Sequence, residues 1–106
     1  MVDTEAGISY LVIEWRHDNA EDPTTLYSEL DPERREVRKV EVYADGRLDL
    51  ADASRSTGTT WLGEGVTPSV DEINSLGPFD AKVIAKDEFE RVWARACSRH
   101  ALDQGG

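Results

Sequence analysis

The sequence predicts an α+β domain: an antiparallel sheet of four to five strands with two helices, the C-terminal one packed on one face. Two observations lead to this prediction. Apolar segments joined by turn residues dominate the first half of the chain, whereas helical periodicity and capping signals appear only in the second half. Strands and helices do not alternate along the chain as they would in a nucleotide-binding parallel sheet.

The 106 residues are enough for one domain. We expect this domain to span residues 8–102, between a frayed N-terminus over 1–7 and a frayed C-terminus over 103–106. Three Trp, three Tyr and two Phe supply enough bulk for a packed core, so wholesale disorder is excluded.

Residues 8–16 are predicted to form a strand that is apolar on both faces. Tyr10 and Val12 face one way, and Leu11 and Ile13 face the other. A strand of this kind lies in the interior of a sheet and is covered on both sides.

Residues 24–30 are predicted to form the second strand, after a loop of Asp, Asn and Pro residues. Leu26 and Leu30 lie on one face of this strand, and Tyr27 and Glu29 lie on the other. An Asp-Pro pair then turns the chain.

A hairpin of residues 35–43 and 47–51 is the clearest element. A two-residue turn would pair Val42 with Asp49, whereas a three-residue loop over 44–46 puts four apolar residues on one face. We therefore predict the longer loop and two pairs: Val42 with Leu48, and Val40 with Leu50.

The longer loop also places Gly46 at the left-handed position that such a connection needs. The opposite face of the hairpin carries Lys39, Glu41 and Asp49, and we expect these side chains to face water.

The second half begins with a loop over 53–60, which is rich in Ser, Thr and Gly. Ser69 and Glu72 have the spacing of a capping box and predict the start of a short helix. Gly77 and the following Pro end it. Residues 81–85 are predicted to add a short strand.

The last helix is predicted to begin near Asp87, which forms a capping signal with Glu90, and to run to about Leu102. Its apolar positions recur with helical spacing. They are Phe89, Val92, Trp93, Ala96 and Cys97.

The three tryptophans are all predicted to lie in the core. Trp15 and Trp93 follow the apolar phases of their elements. If any of the three is partly exposed, we expect it to be Trp61, because it adjoins a Gly-rich loop. An exposed Trp at that position would be an interface anchor.

Two short patterns resemble ligand sites but lack essential parts. Gly63-Glu64-Gly65 has neither the third glycine of a dinucleotide loop nor the Lys of a P-loop, so a turn is predicted. His17 stands beside Asp18, Glu21 and Asp22, but the calcium-loop pattern is missing. We expect a solvated acidic loop, no metal site and no cofactor.

Candidates for nucleophilic or anion-binding chemistry are equally sparse. No serine stands in a G-x-S-x-G elbow. Cys97 lies on the apolar face of the last helix and is interpreted as a small buried hydrophobe. Arg91, Arg95 and Arg99 form a stripe that we interpret as complementing the helix dipole and pairing with nearby acids.

Twelve Lys and Arg residues stand against 22 Asp and Glu residues, which gives a formal net charge of −10. Nucleic acid is therefore not expected as a partner, because phosphate contacts need basic side chains. No apolar run approaches the roughly 20 residues of a membrane span. A single cysteine and no visible secretory signal predict a cytoplasmic protein.

Three runs resemble a family of small bacterial single-domain proteins of unknown function: W-R-H-D at 15–18, L-Y-S-E-L-D at 26–31 and R-K-V-E-V-Y-A-D-G-R at 38–47. The resemblance continues at 56–58, 62–64, 72–74 and 88–93 and covers residues 8–96. It implies no catalytic residues for this chain.

The leading functional hypothesis is an acidic protein-binding domain, most sharply a toxin-neutralising immunity-type protein whose partner has a basic surface. Small size, the net charge and the lack of a catalytic constellation motivate it, because an acidic protein associates quickly with a basic cleft. The predicted partner-binding residues are Asp18, Glu21, Asp22, Tyr27 and Glu29.

Two alternatives stay open on the sequence alone. One is a small enzyme with an unrecognised site near His17, and a deep pocket holding that residue with a second polar group would favour it. The other is an accessory or regulatory module of a larger bacterial assembly. A flat acidic face would favour the binding domain.

Overall fold

Five strands form one antiparallel sheet, and a helix lies against each of its faces. The computed structural model describes residues 7–100. The sheet order is β4-β3-β2-β1-β5. The elements are β1 (Ser9–Trp15), β2 (Thr25–Leu30), β3 (Glu36–Val42), β4 (Leu48–Ala51), α1 (Val70–Asn74), β5 (Phe79–Val83) and α2 (Lys86–His100). The predicted α+β class is confirmed. Apart from Gly7, the ends predicted to fray lie outside the described residues, as does the predicted helix end at Leu102.

β1 is an interior strand, as its two apolar faces predict. It pairs with β2 on one side and with β5 on the other. Tyr10 and Val12 pack under α2 with Phe89, while Leu11 packs with Ile73 on the α1 side. Both faces of this strand are therefore buried over part of its length.

The predicted hairpin register is confirmed. Val42 pairs with Leu48, and Val40 pairs with Leu50. The Tyr43 N–H donates to the Arg47 carbonyl oxygen, the Gly46 N–H donates to the Tyr43 carbonyl oxygen, and Gly46 has a φ of 91°. The register holds because a slip of one residue would carry the apolar side chains to the opposite face.

α2 covers the face of the sheet that carries Val40 and Leu50. Phe89 is fully buried between the strands and the helix. Trp93 is only half-buried and packs where the two clusters on this face meet. Trp93 was predicted to lie in the core, and it packs against the core although it is not fully buried.

The opposite face of the hairpin does not face water, which corrects the expectation for Lys39, Glu41 and Asp49. Asp49 is 5% exposed, and the side chains of Lys39 and Glu41 are each 13% exposed. The loop over 52–66 folds back across β3 and β4 and covers them. Its backbone and hydroxyl groups satisfy the charges that it buries.

Polar contacts fix α1 and the chain segment that precedes it. Ser69 and Glu72 form the predicted capping box. Arg34 has a φ of 65°, a conformation that costs a non-glycine residue free energy. Its guanidinium donates to the carbonyl oxygens of Thr67 and Pro68, 2.9 and 2.6 Å away, and so ties the segment before α1 to the β2–β3 turn.

β5 begins at Phe79, two residues before the predicted strand, and its free edge is blocked by a side chain. The Asn74 amide donates to the Ala81 carbonyl oxygen at 3.1 Å and accepts from the Ala81 N–H. The amide thus takes the place of a neighbouring strand at that residue.

The other edge strand, β4, is blocked by similar means. Thr57 exchanges hydrogen bonds with both backbone groups of Leu50, and His100 donates to the Leu48 carbonyl oxygen. Both edges of the sheet are therefore partly closed to pairing with another chain. None of the helices within residues 7–100 is long and apolar enough to cross a membrane.

Candidate functional site

The residues predicted to bind a partner lie in two separate places. Asp18, Glu21 and Asp22 lie in the loop between β1 and β2, at one end of the sheet, where Asp18 and Glu21 are exposed. Tyr27 and Glu29 lie within β2 on the face that α2 covers.

The structure therefore does not join these five residues into one exposed acidic face. Tyr27 packs against the buried residues beneath α2, and burial raises the pKa of its hydroxyl. The Glu29 side chain is 13% exposed. α2 lies over this face of the sheet, so Tyr27 and Glu29 do not form an exposed strand surface beside the loop.

Glu29 belongs to an ion-pair network that is a packing feature of the α2 face. Arg38 bonds both Glu29 and Glu90, and its guanidinium lies 4.9 Å from the Phe89 ring centroid and 5.0 Å from that of Trp93. Burial alone would lower the pKa of Arg38, but the two carboxylates raise it above the ordinary value. The hydrogen bond from Arg38 also lowers the pKa of Glu90.

His17 is held by hydrogen bonds within its own loop. The Asn19 N–H donates to Nδ1 at 3.0 Å, so the ring proton is on Nε2, which donates to the Pro23 carbonyl oxygen at 2.7 Å. Both ring nitrogens are thus already engaged in hydrogen bonds. His17 could act as a base only by giving up the contact that shapes the loop.

Other potentially reactive groups are also engaged within the fold. The Thr57 hydroxyl donates to Asp49 at 2.8 Å and accepts from the Leu50 N–H. His100 bonds a backbone carbonyl through the same nitrogen that approaches Thr57, so these groups do not form a nucleophile–base relay. Cys97 is buried, as predicted. Within residues 7–100 no group of three His, Cys, Asp or Glu side chains could hold a metal ion.

The arginine stripe of α2 is mostly tied to the protein itself. Arg91 lies 3.6 Å from Asp87, four residues earlier. Arg99 donates to the Gly46 carbonyl oxygen at 3.0 Å and so links the helix to the hairpin loop. These contacts agree with the structural interpretation of the stripe.

An open cleft of about 530 Å³ lies on the α1 side of the sheet, between the β1–β2 loop and the loop over 57–61. Trp61 forms one side and is 68% exposed, so the prediction that it lies in the core was wrong. Its lining residues combine aromatic, aliphatic and acidic side chains. They are Trp15, Glu21, Asp22, Pro23, Leu26, Lys39, Glu41, Tyr43, Thr59 and Trp61.

The walls of this cleft are fixed by buried charges on β3. Lys39 lies 3.2 Å from Glu36 and 3.9 Å from Glu41, and its ammonium group donates to the Trp61 carbonyl oxygen. Thr60 donates to Glu41 at 2.6 Å, and the Gly63 N–H donates to Glu36 at 2.7 Å. The Gly-rich segment is thus a turn held by hydrogen bonds to β3, and these contacts keep the Trp61 side chain exposed.

A second cleft of about 540 Å³ continues from the first past Tyr43 and Thr59. Asp45 and Asp49 line it, and the Arg47 guanidinium lies 4.0 Å from the Tyr43 ring centroid. The two clefts together are lined by five carboxylates and two cationic side chains.

An apolar pocket of about 210 Å³ lies on the other side of Leu26. It occupies the gap between α1 and the β1–β2 strands. Ile13, Leu26, Thr67, Pro68, Ile73, Leu76 and Phe79 line it. We name this pocket and the two clefts together the α1-face groove.

Of the residues that line this groove, only Glu21 and Asp22 are among the predicted partner-binding residues. The one available signal was Trp61 beside a Gly-rich loop. Nothing in the sequence indicated that Glu41 and Lys39 line the groove, because side chains at these positions of a strand can equally well be exposed to solvent.

A family model described as a domain of unknown function, DUF6881, matches residues 9–98. The chain therefore belongs to this family. No match was found among the curated proteins or among the solved structures.

Proposed function

We propose that this DUF6881 protein is an acidic protein-binding domain, and that its α1-face groove receives a partner with a basic surface. The exposure of Trp61 carries the proposal: a large aromatic side chain that is 68% exposed lies beside a cleft with carboxylate walls. Trp is the residue type most enriched among the anchors of protein interfaces.

The charge of the groove supports a basic partner. Glu21 and Asp22 stand at the mouth of the cleft, and no ion pair within residues 7–100 neutralises either of them. Lys39 is already shared between two glutamates. In a chain of net charge −10, such a surface attracts cationic proteins and repels phosphate backbones.

The partly closed sheet edges support a groove rather than strand addition as the binding mode. Asn74 occupies backbone groups of β5, and Thr57 and His100 occupy those of β4. A partner that binds by adding a strand needs these groups to be free.

In its sharpest form the proposal is an immunity-type role, in which the partner is a toxic enzyme with a basic cleft. The single cysteine supports action in a reducing compartment, and we infer a cytoplasmic location. An inhibitor of this kind abolishes its partner's activity at a one-to-one ratio.

The test compares proteins captured from cells of the native host by four forms of this chain. They are wild type, Trp61→Ala, the groove variant Glu21→Gln/Asp22→Asn, and a control, Asp80→Asn/Glu88→Gln. The control removes the same two charges from exposed positions on β5 and α2.

We expect one protein to be retained by wild type and control and to be lost or weakened with both groove variants. The purified pair is then titrated by calorimetry, and the partner's activity is assayed with increasing amounts of this chain. Equal capture by all four forms would refute the groove as the binding surface.

A further inference from the structure

We infer that the α1-face groove recognises two neighbouring side chains of one extended partner segment: a guanidinium or ammonium group in the acidic cleft beside Trp61, and an apolar side chain in the pocket across Leu26. This inference rests on the proposed function and adds the chemistry of the segment that the groove binds.

The cleft beside Trp61 has the two features that a guanidinium prefers. Trp15 and Trp61 offer aromatic surface, and Glu21 and Asp22 offer carboxylates. A guanidinium stacks on aromatic faces and donates two parallel hydrogen bonds to a carboxylate. An ammonium group gains from the same rings and charges, although without the bidentate geometry.

The neighbouring part of the groove already contains this arrangement within the chain itself. The Arg47 guanidinium lies 4.0 Å from the Tyr43 ring centroid, in a cleft that is also lined by Asp45 and Asp49. The groove therefore accepts a guanidinium against an aromatic ring with carboxylates nearby, and Trp61 offers a more exposed ring for a second one.

The pocket on the other side of Leu26 suits an apolar side chain. Aliphatic and aromatic groups form most of its lining, and Leu76, at one side, is 53% exposed. Its volume of about 210 Å³ exceeds the roughly 150 Å³ cavity that holds a benzene molecule, so one Leu or Phe side chain fits. Filling it removes exposed apolar surface from water.

The two sites are adjacent because Leu26 lines both of them. In an extended segment, alternate side chains point the same way and are about 7 Å apart. We therefore expect a motif with one intervening residue, an apolar residue and a basic residue at positions i and i+2, in one of the two chain directions.

Four pentapeptides test this motif in each direction. The first is acetyl-Gly-Leu-Gly-Arg-Gly-amide. Gln replaces Arg in the second, Ser replaces Leu in the third, and both replacements are made in the fourth. Binding is followed by ¹⁵N chemical shifts, including the indole N–H of Trp61. We expect the first peptide, in one direction, to bind at least about tenfold more tightly than each singly altered peptide.

Two groove variants separate the two contacts. Glu21→Gln/Asp22→Asn should reduce the preference for Arg over Gln and leave the preference for Leu over Ser unchanged. Leu76→Ser should have the opposite effect. Val83→Ser, at another exposed apolar position, is the control and should change neither ratio. These ratios are measured on folded protein, so a general loss of stability does not mimic them.

Equal binding of the four peptides in both directions, or shifts remote from Trp61 and Leu76, would overturn the inference. The oligosaccharide cellotriose is titrated in parallel, and shifts at Trp61 with this sugar alone would assign the groove to carbohydrate instead. If a captured protein depends on Trp61 while the peptides show no preference, the proposed function stands and the two-side-chain motif fails. If neither result is obtained, both fail.

Discussion

At the scale of single residues, carboxylates hold the irregular part of this chain in place. Glu41 accepts from Thr60, and Glu36 accepts from the Gly63 N–H, so two strand residues hold the loop that carries Trp61. Removing the donor to a buried acceptor of this kind lowers the free energy of unfolding, because the acceptor is left without a hydrogen bond. The shape of the groove therefore depends on charged residues that do not have to touch a partner.

Glycine substitutions test the backbone at two of these irregular positions. Gly46→Ala should lower the free energy of unfolding by about 1 kcal/mol, because φ is +91° while no atom lies within 4 Å of the added Cβ. Gly58→Ala should cost more, because φ is +57° and the Cβ would lie 2.5 Å from an Asp49 oxygen.

Gly65→Ala is the matched control for this series. Its φ lies outside the left-handed range and the space around it is open, so we expect no loss of stability. Urea denaturation of the three variants gives the comparison. An equal loss at Gly46 and Gly65 would contradict the left-handed loop position.

Arg38→Met should destabilise the protein most near neutral pH, by about 2 kcal/mol, because it leaves Glu29 and Glu90 without their shared cation. Hydrogen bonding to Arg38 lowers the pKa of Glu90 in the folded state, so the folded protein binds fewer protons than the unfolded chain. In wild type this contribution is present above the ordinary pKa of about 4.5 and is lost as the pH falls through the lower folded value.

The difference in stability between wild type and Arg38→Met should therefore shrink from pH 7 to pH 3, because acid neutralises the carboxylates in both proteins. Urea denaturation at four pH values measures it. Arg91→Met is the control, since its pair with Asp87 is exposed and should contribute little at any pH. A difference in stability that stays constant with pH would show that Arg38 acts through packing on Phe89 and Trp93 alone.

At the scale of elements, strands and helices could be predicted wherever their own periodicity placed a face in the core. The pairing of Val40 with Leu50 followed from the sequence, because only one register keeps the apolar residues together. The burial of Asp49 did not, because its cover is a loop without periodicity that is placed by distant contacts. Trp61 escaped prediction for the same reason.

The edge of β5 gives the element-scale prediction. Asn74→Ala should free the Ala81 N–H and C=O for pairing and promote self-association through this edge. Sedimentation velocity over a range of concentrations should show a larger species for this variant than for wild type.

Ser75→Ala is the control for the Asn74 variant. It alters the neighbouring side chain, whose hydroxyl donates to the Glu72 carbonyl oxygen of the same helix. Its sedimentation should match that of wild type. An Asn74→Ala variant that loses stability without a change in sedimentation would assign Asn74 to anchoring α1 rather than to protecting the edge.

At the scale of the whole molecule, the two faces of the sheet have different roles. The α2 face holds most of the large buried side chains and ties its charges into the network around Arg38. The α1 face has a helix of five residues and a folded-back loop, which leave the groove open between them. The exposed positions of the groove, such as Trp61 and Leu76, can therefore be varied with less loss of packing than the residues beneath α2.

The net charge of −10 gives the last prediction, which concerns the rate at which the captured partner associates. The association rate constant should fall as salt rises from 0.01 to 0.15 M, because the Debye length shortens from about 30 Å to about 8 Å. A triple variant with Asp18→Asn, Glu21→Gln and Asp22→Asn should mainly slow association, since Glu21 and Asp22 line the cleft and Asp18 is exposed in the same loop. Trp61→Ala should mainly speed dissociation, because it removes a short-range anchor. Stopped-flow kinetics across a salt series separates the two effects, and an association rate that does not change with salt would contradict electrostatic steering.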